Sequence, residues 1–194
     1  MAAESESPDW VAASYARMRA GAAMNVRILG MGLLFLAAEA ACLGQSLPPT
    51  VGESLSGKQS AVADTIRGKK AVLVASFSRE SGDGATIWMH ALAADPVLAQ
   101  VELRQLVMLG QAPGFVRGFI KSAMRKGMPQ ANQDRTFVLT ADEKSWRAFF
   151  GVTGDKDAYV VVLDAGGNLL WRGHGREQDL EATVRQALLQ AGQR

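Results

Sequence analysis

The sequence predicts an α/β domain in which helices flank a central mixed β-sheet, closed by a C-terminal β-hairpin and a last helix. Three observations carry that prediction. Residues 71–77 form a short apolar run rich in strand formers, apolar on both faces as a central strand is. Strand-like and helix-like patterns then alternate, which is the signature of parallel βαβ pairing. Finally, residues 158–163 and 169–172 flank a Gly-rich turn at 164–168, which suits an antiparallel hairpin.

Each element follows in order. Residues 45–69 read as an extended N-terminal segment: Leu47, Pro48 and Pro49 open it, and 52–63 reads as loop with weak local structure. After the strand at 71–77 comes a loop at 78–84. There Ser81 or Asp83 can cap a helix that runs through Ile87, Trp88, Ala91 and Leu92 to about Asp95. Residues 101–109 make the second strand. Pro113 then starts a helix in which Phe115, Val116, Phe119, Ile120 and Met124 recur at helical spacing. A loop at 127–133 leads to a short strand, 136–139. Thr140 with Glu143 makes a capping box for a helix carrying Trp146, Phe149 and Phe150, and Gly151 can end it. Beyond the hairpin, Leu180, Val184, Ala187, Leu188 and Ala191 place one apolar stripe on a final helix. Residues 70–194 are thus expected to make the folded domain.

The start of the chain has a different character. Residues 1–23 form a small, polar extension with Glu4, Glu6 and Asp9, and Met24 reads as the true start. Residues 24–44 read as a removable signal peptide. Arg27 supplies the positive charge, 28–38 the apolar run, and small residues a cut after Ala40 or after Gly44. The run is shorter than the roughly 20 apolar residues of a spanning helix. A periplasmic or secreted protein is therefore expected, reaching a membrane only through an uncleaved signal or a lipid on Cys42.

Composition narrows the function. The net charge is +2, no block of five like charges occurs, and aromatics do not interleave with Lys or Arg, so nucleic-acid binding has no footprint. Two histidines and one cysteine build neither a Cys-rich zinc site nor a disulfide framework. No metal and no cofactor are expected.

Two stretches carry a resemblance: Ala158-Tyr159-Val160-Val161-Val162-Leu163-Asp164, then Gly167-Asn168-Leu169-Leu170-Trp171-Arg172-Gly173-His174-Gly175. With the order of elements they resemble thioredoxin-like proteins, and the hairpin is most similar to that of mitochondrial ATP synthase assembly factors sharing that fold. The layout covers roughly residues 70–189; the motif covers only 159–175. Redox-active thioredoxins carry Cys-x-x-Cys at the head of the helix after the first central strand, where the helix N-terminus lowers a thiol pKa. Here residues 78–88 hold no cysteine. Those proteins also place a cis-proline before the hairpin strand. Lys156, Asp157 and Ala158 stand there, and cis before a non-proline residue costs about 2.5–4 kcal/mol, so trans is expected. The Thr-x-x-Cys of peroxiredoxins is missing too. The resemblance implies a non-redox thioredoxin fold that binds a protein or peptide, as a chaperone or assembly factor. In the assembly-factor relatives this means holding a membrane-protein subunit during ATP synthase assembly. The alternative is a degenerate thiol-disulfide oxidoreductase or peroxiredoxin homologue with residual activity.

No catalytic residue is expected. His90 could approach a serine, but the Gly-x-Ser-x-Gly elbow of a hydrolase is missing. The expected contact surface is Ser78, Arg79 and Glu80 beside a helix N-terminus, with Asp157, Ala158 and Tyr159 at the hairpin edge. Trp88 reads as core that can double as a partner anchor. The grouping follows from open α/β sheets, which bind ligands at the carboxyl ends of their strands. Trp146 and Trp171 read as core, His90 and His174 as surface residues, and Arg117, Lys121 and Arg125 as one solvated face of a helix.

Overall fold

The structure is a computed structural model that describes residues 46–175 and 177–190. The residues read as a polar extension and a signal peptide, with Cys42, lie outside the described residues. Seven strands form one sheet: β1 (Val51–Ser54), β2 (Gln59–Ala61), β3 (Ala71–Ser76), β4 (Glu102–Met108), β5 (Thr136–Leu139), β6 (Tyr159–Leu163) and β7 (Leu169–His174). Their order is β2-β1-β5-β4-β3-β6-β7, with β3, β4 and β5 parallel and every other pairing antiparallel. The helices are α1 (Val62–Ile66), α2 (Arg79–Ala94), α3 (Gly114–Gly127), α4 (Gln130–Gln133), α5 (Glu143–Phe150) and α6 (Glu177–Gln190). This is the mixed, helix-flanked sheet with a hairpin and last helix that the sequence predicts.

Every residue of β3 is buried, and its side chains alternate between two apolar layers. On one face Leu73 and Ala75 meet Ile66, Trp146, Phe149 and Phe150. On the other, Val72 and Val74 meet Trp88 and Leu92 of α2 with Val184 and Leu188 of α6. The peptide bonds of the described residues are all trans.

The expected loop at 52–63 is instead β1, β2 and the start of α1. Glu53 and Ser54 pair with Val138 and Phe137, so the open edge of β5 supplies the partner that turns a polar, Gly-containing segment into a strand. A Cβ on Gly52 would lie 2.5 Å from Leu139 Cδ2, which suits that position to glycine. Thr50 fastens the segment from below. Its Oγ1 accepts from Trp146 Nε1 at 3.0 Å and donates to Asp142 Oδ2 at 2.8 Å.

Two helix starts also differ from expectation. Helix α2 begins at Arg79 and is capped by Ser78, whose Oγ accepts from the Ser81 N–H at 3.1 Å. Ser81 turns inward, where its Oγ accepts from the N–H groups of Phe77 and Ser78. Helix α5 starts after Asp142, in the left-handed region at φ 56°, so Glu143 is its first residue rather than its third and the expected Thr140–Glu143 box is absent; Glu143 instead binds Arg147 and Gln111. Gly151 ends α5 at φ 66°, as the sequence suggests.

Helix α3 overturns the largest expectation. None of its residues is buried, and Phe115 and Phe119 are 83% and 77% exposed. The basic face, expected in solvent, turns to the protein. Lys121 Nζ meets Glu53 of β1 at 2.9 Å, Arg125 Nε donates to Leu55 O at 2.7 Å, and Arg117 donates to the carbonyls of Ala112 and Gly110. These polar anchors set the helix rotation and leave the aromatic side outward.

Four carboxyl groups of the domain are held below their usual range. Burial pushes Asp95 up, but the Val97 N–H and the Arg185 guanidinium outweigh it. For Glu102, burial is likewise outweighed by Lys69 and Arg104. Ser56 and then Lys58 lower Asp134, while Asp164, raised by burial, is lowered more by Asn168, Gly166 and Gly167. A lowered carboxyl binds fewer protons folded than unfolded, so its stabilisation is present above the unfolded value, about 4, and is lost as pH falls through the folded one. Urea unfolding should therefore show full stability at pH 7, with loss beginning below about pH 5. Asp95→Asn should flatten that slope. Equal stability of wild type at pH 7 and pH 3 would remove these assignments.

Candidate functional site

The loop after β3 and the loop before β6 meet at the carboxyl ends of the central strands. Ser78 Oγ donates to Asp155 O at 2.5 Å, and a Cβ built on Gly84 would lie 3.5 Å from Ala158 Cβ. Beside this junction a groove of about 640 Å³ opens between the start of α2, the end of β4 and α3. Ser78 and Arg79 line it, with Phe77, Val107, Met108 and Phe119 as its apolar surface.

The expected contact residues divide into two groups. Arg79, Glu80 and Asp157 are exposed and Ser78 is half-buried. Trp88, Ala158 and Tyr159 are buried, at 1%, 2% and 1% exposed. Trp88 as a partner anchor is therefore corrected: its ring belongs to the core layer under α2, and its Nε1 donates to Gly175 O at 3.1 Å. Tyr159 is likewise structural. Its hydroxyl accepts from the N–H groups of Thr153 and Gly154 and donates to Gly154 O, all at 3.0 Å, which fixes the loop before β6. Asp157 does not line the groove; it pairs with His174 Nδ1 at 2.9 Å. His174 is exposed as expected and stacks on Tyr159 with ring centroids 5.0 Å apart.

A polar wall of the groove was missed from the sequence. Arg147 of α5 reaches Glu143 Oε1 at 3.0 Å and Asp155 Oδ1 at 2.6 Å, with its guanidinium 4.9 Å from the Phe77 ring centre. The Asp155 hydrogen bond, helped by Glu143 and opposed by burial, holds Arg147 above its usual basicity. Its charge is thereby fixed and neutralised in place. Glu143 and Arg147 stand four apart on a helix, a spacing that signals a pair, but their contact with Asp155 is made only by folding. Arg79, in contrast, has no ion pair among the described residues.

The start of α2 presents a serine cap, an arginine and a glutamate, and residues 45–194 contain no cysteine. Among the described residues no cluster of three His, Cys, Asp or Glu side chains could hold a metal ion. No helix among them is long and apolar enough to cross a membrane.

No protein-family description matches the chain, and no curated protein matches its sequence. Solved structures do match. The thioredoxin domain of a thiol-disulfide oxidoreductase from Bacteroides vulgatus aligns at TM-score 0.52 and 15% identity, over 74% of this chain and 96% of that one. This protein has the thioredoxin-like fold. A thiol:disulfide interchange protein described as DsbE, from Chlorobium tepidum, aligns at TM-score 0.52 and 17% identity, over 77% of this chain and 96% of the other. An exposed lipoprotein thioredoxin from Streptococcus pneumoniae aligns at 0.50 and 18%, over 70% and 97%. These likenesses establish the thioredoxin-like fold alone, since identity is low throughout.

Proposed function

We propose that this chain is a non-redox thioredoxin-fold binding protein of the chaperone or assembly-factor kind, with its contact surface at the carboxyl ends of β3 and β4. The observation that carries the reading is the head of α2. In this fold that place serves the redox thiols, and here it holds Ser78, Arg79 and Glu80 beside a groove with an apolar lining. A thiolate mechanism needs a sulfur nucleophile. An open crevice with exposed Arg79 needs only a complementary chain. The hairpin's resemblance to ATP synthase assembly factors supports a protein as the partner.

Export from the cytoplasm belongs to the same proposal. It is supported by Arg27 and the apolar run at 28–38, and by structural neighbours that include an exposed lipoprotein. Sequencing the N-terminus of protein recovered from its host should return Ala41 or Gln45 first, and an acylated Cys42 would show in the mass of the same sample. A chain beginning at Met1 or Ala2 ends the cleavage proposal.

A second reading has equal support from the fold: a degenerate thiol-disulfide oxidoreductase or peroxiredoxin homologue, as two of the structural neighbours are a thiol-disulfide oxidoreductase and a thiol:disulfide interchange protein. Insulin separates the two. The binding reading expects slower aggregation of the B chain when dithiothreitol reduces insulin, and no turnover by the protein in insulin-reduction or peroxide-consumption assays. Robust turnover in either assay overturns it.

A further inference from the structure

The groove beside α2 does not end at the strand ends. A second cavity, about 280 Å³, continues it, and Thr86, Gln105 and Met124 line both. Together they make one furrow between α2 and α3 that follows α2 from Arg79 to Ala93, about 20 Å at the helical rise. Its floor is β4 and β5, at Gln105, Val107 and Thr136.

The furrow has a structural origin. Helix α2 packs on β3 through Ala85, Trp88 and Leu92, whereas α3 is fastened to β1 by Lys121 and Arg125. In the sheet order β1 and β3 are three strand spacings apart, about 14 Å, and packed helices sit roughly 8–10 Å apart. The furrow lies between these two attachments. Four methionines, Met89, Met108, Met124 and Met128, stand along the gap, and such side chains re-pack around varied apolar groups. Phe115 and Phe119 continue the apolar surface over the rim.

Charge identifies the occupant. Helix α3 has Arg117, Lys121, Arg125 and Lys126 and no acidic residue. Asp83, Glu143 and Asp155 line the Arg79 end, but no acidic residue lines the far end, where exposed Arg135 stands and exposed Lys126 adjoins the lining residue Gly127, neither with an ion pair among the described residues. A second copy of α3 would set like charges together. A flat lipid surface would leave the furrow unfilled, and three of the four cations that could serve it are already turned onto Glu53, Leu55 and the carbonyls of Gly110 and Ala112.

We propose that the furrow between α2 and α3 seats an amphipathic segment of a partner protein, apolar on the side placed among the methionines and acidic where it meets Lys126 and Arg135. This inference deepens the binding reading above and rests on it. It names the partner's chemistry and moves the main contact from Arg79 to α3.

Fluorescence anisotropy of the full chain with two labelled helical peptides tests it. Both carry leucine on one face; one carries glutamate on the other face and the second carries lysine. The glutamate peptide should bind about tenfold tighter or better, with affinity falling as salt rises. Phe119→Ala and Met124→Ala should each weaken it by about tenfold, and Lys126→Ala with Arg135→Ala should make binding less salt-sensitive. None of these side chains is buried, and circular dichroism will show intact folds. Equal binding of the two peptides overturns the proposal. So does a loss with Arg79→Ala but not with Phe119→Ala or Met124→Ala, which keeps the binding reading and places the site at the strand ends. Tighter binding to phosphatidylglycerol vesicles than to the peptide, or a dimer dissolved by Phe119→Ala, also overturns it. Turnover in the insulin assay removes the binding reading itself.

Discussion

Trp88→Ala is expected to lower the free energy of unfolding by about 3–5 kcal/mol, the range for truncating a fully buried tryptophan. The ring is 1% exposed and packs with Val72, Val74 and Val184, and its N–H holds Gly175 at the end of β7. Two costs therefore add: a cavity under α2, and a carbonyl left without its donor. Trp88→Phe keeps most of the apolar contact and should cost less, about 1–3 kcal/mol, because chiefly the hydrogen bond is lost. Urea midpoints at unchanged slope measure both. A loss below about 1 kcal/mol for Trp88→Ala would show the ring exposed in solution and restore it as a partner anchor.

Trp146→Ala should cost a similar amount, about 3–5 kcal/mol, on the opposite face of the sheet. Its ring is fully buried against Phe149 and Phe150, at centroid distances of 5.9 and 6.0 Å. Its Nε1 is also the donor that holds Thr50, and through Thr50 it is linked to Asp142. Thr50→Val tests that link separately. It nearly preserves shape but strips the Trp146 N–H of its acceptor, so a loss of about 1–3 kcal/mol is expected in the same single transition. If Thr50→Val were silent, the segment at 46–66 would be an appendage rather than part of the cooperative unit.

These two tryptophans show how far the residues could be read. Trp146 lies on a short helix whose apolar spacing and closing Gly151 are local signals, and both mark it as core before any contact is known. Trp88 follows a polar loop with no such frame; only the packing of α2 on β3 and the hydrogen bond to Gly175, 87 residues away, settle which way its ring points. Tyr159 is similar. Its position at the head of a strand suggested an exposed edge, yet its hydroxyl is used to fix residues 153 and 154.

The candidate site was legible where it depends on chain order and hidden where it depends on partners distant in sequence. The crevice at the ends of β3 and β4, with Ser78 and Arg79 in it, follows from the βαβ order, because parallel strands deliver their following loops to one edge of the sheet. The Arg147 network needed three segments brought together. The outward turn of Phe115 and Phe119 needed more, since a helix with an apolar and a basic face can dock by either.

By itself, then, the sequence determined the α/β class, the parallel centre, the hairpin with its final helix, and the lack of cysteine in residues 45–194. Each of these is written in short-range periodicity, turn chemistry or residue identity. Tertiary structure alone decided that residues 51–61 are strands, that α3 sits basic face down, and that a furrow separates it from α2. The free edge of β5, Glu53 beneath Lys121 and the carbonyl of Leu55 beneath Arg125 are the causes. Each lies at least 68 residues from the group it orders, or pairs a weak local preference with a stronger distant partner, so no local pattern could record the outcome.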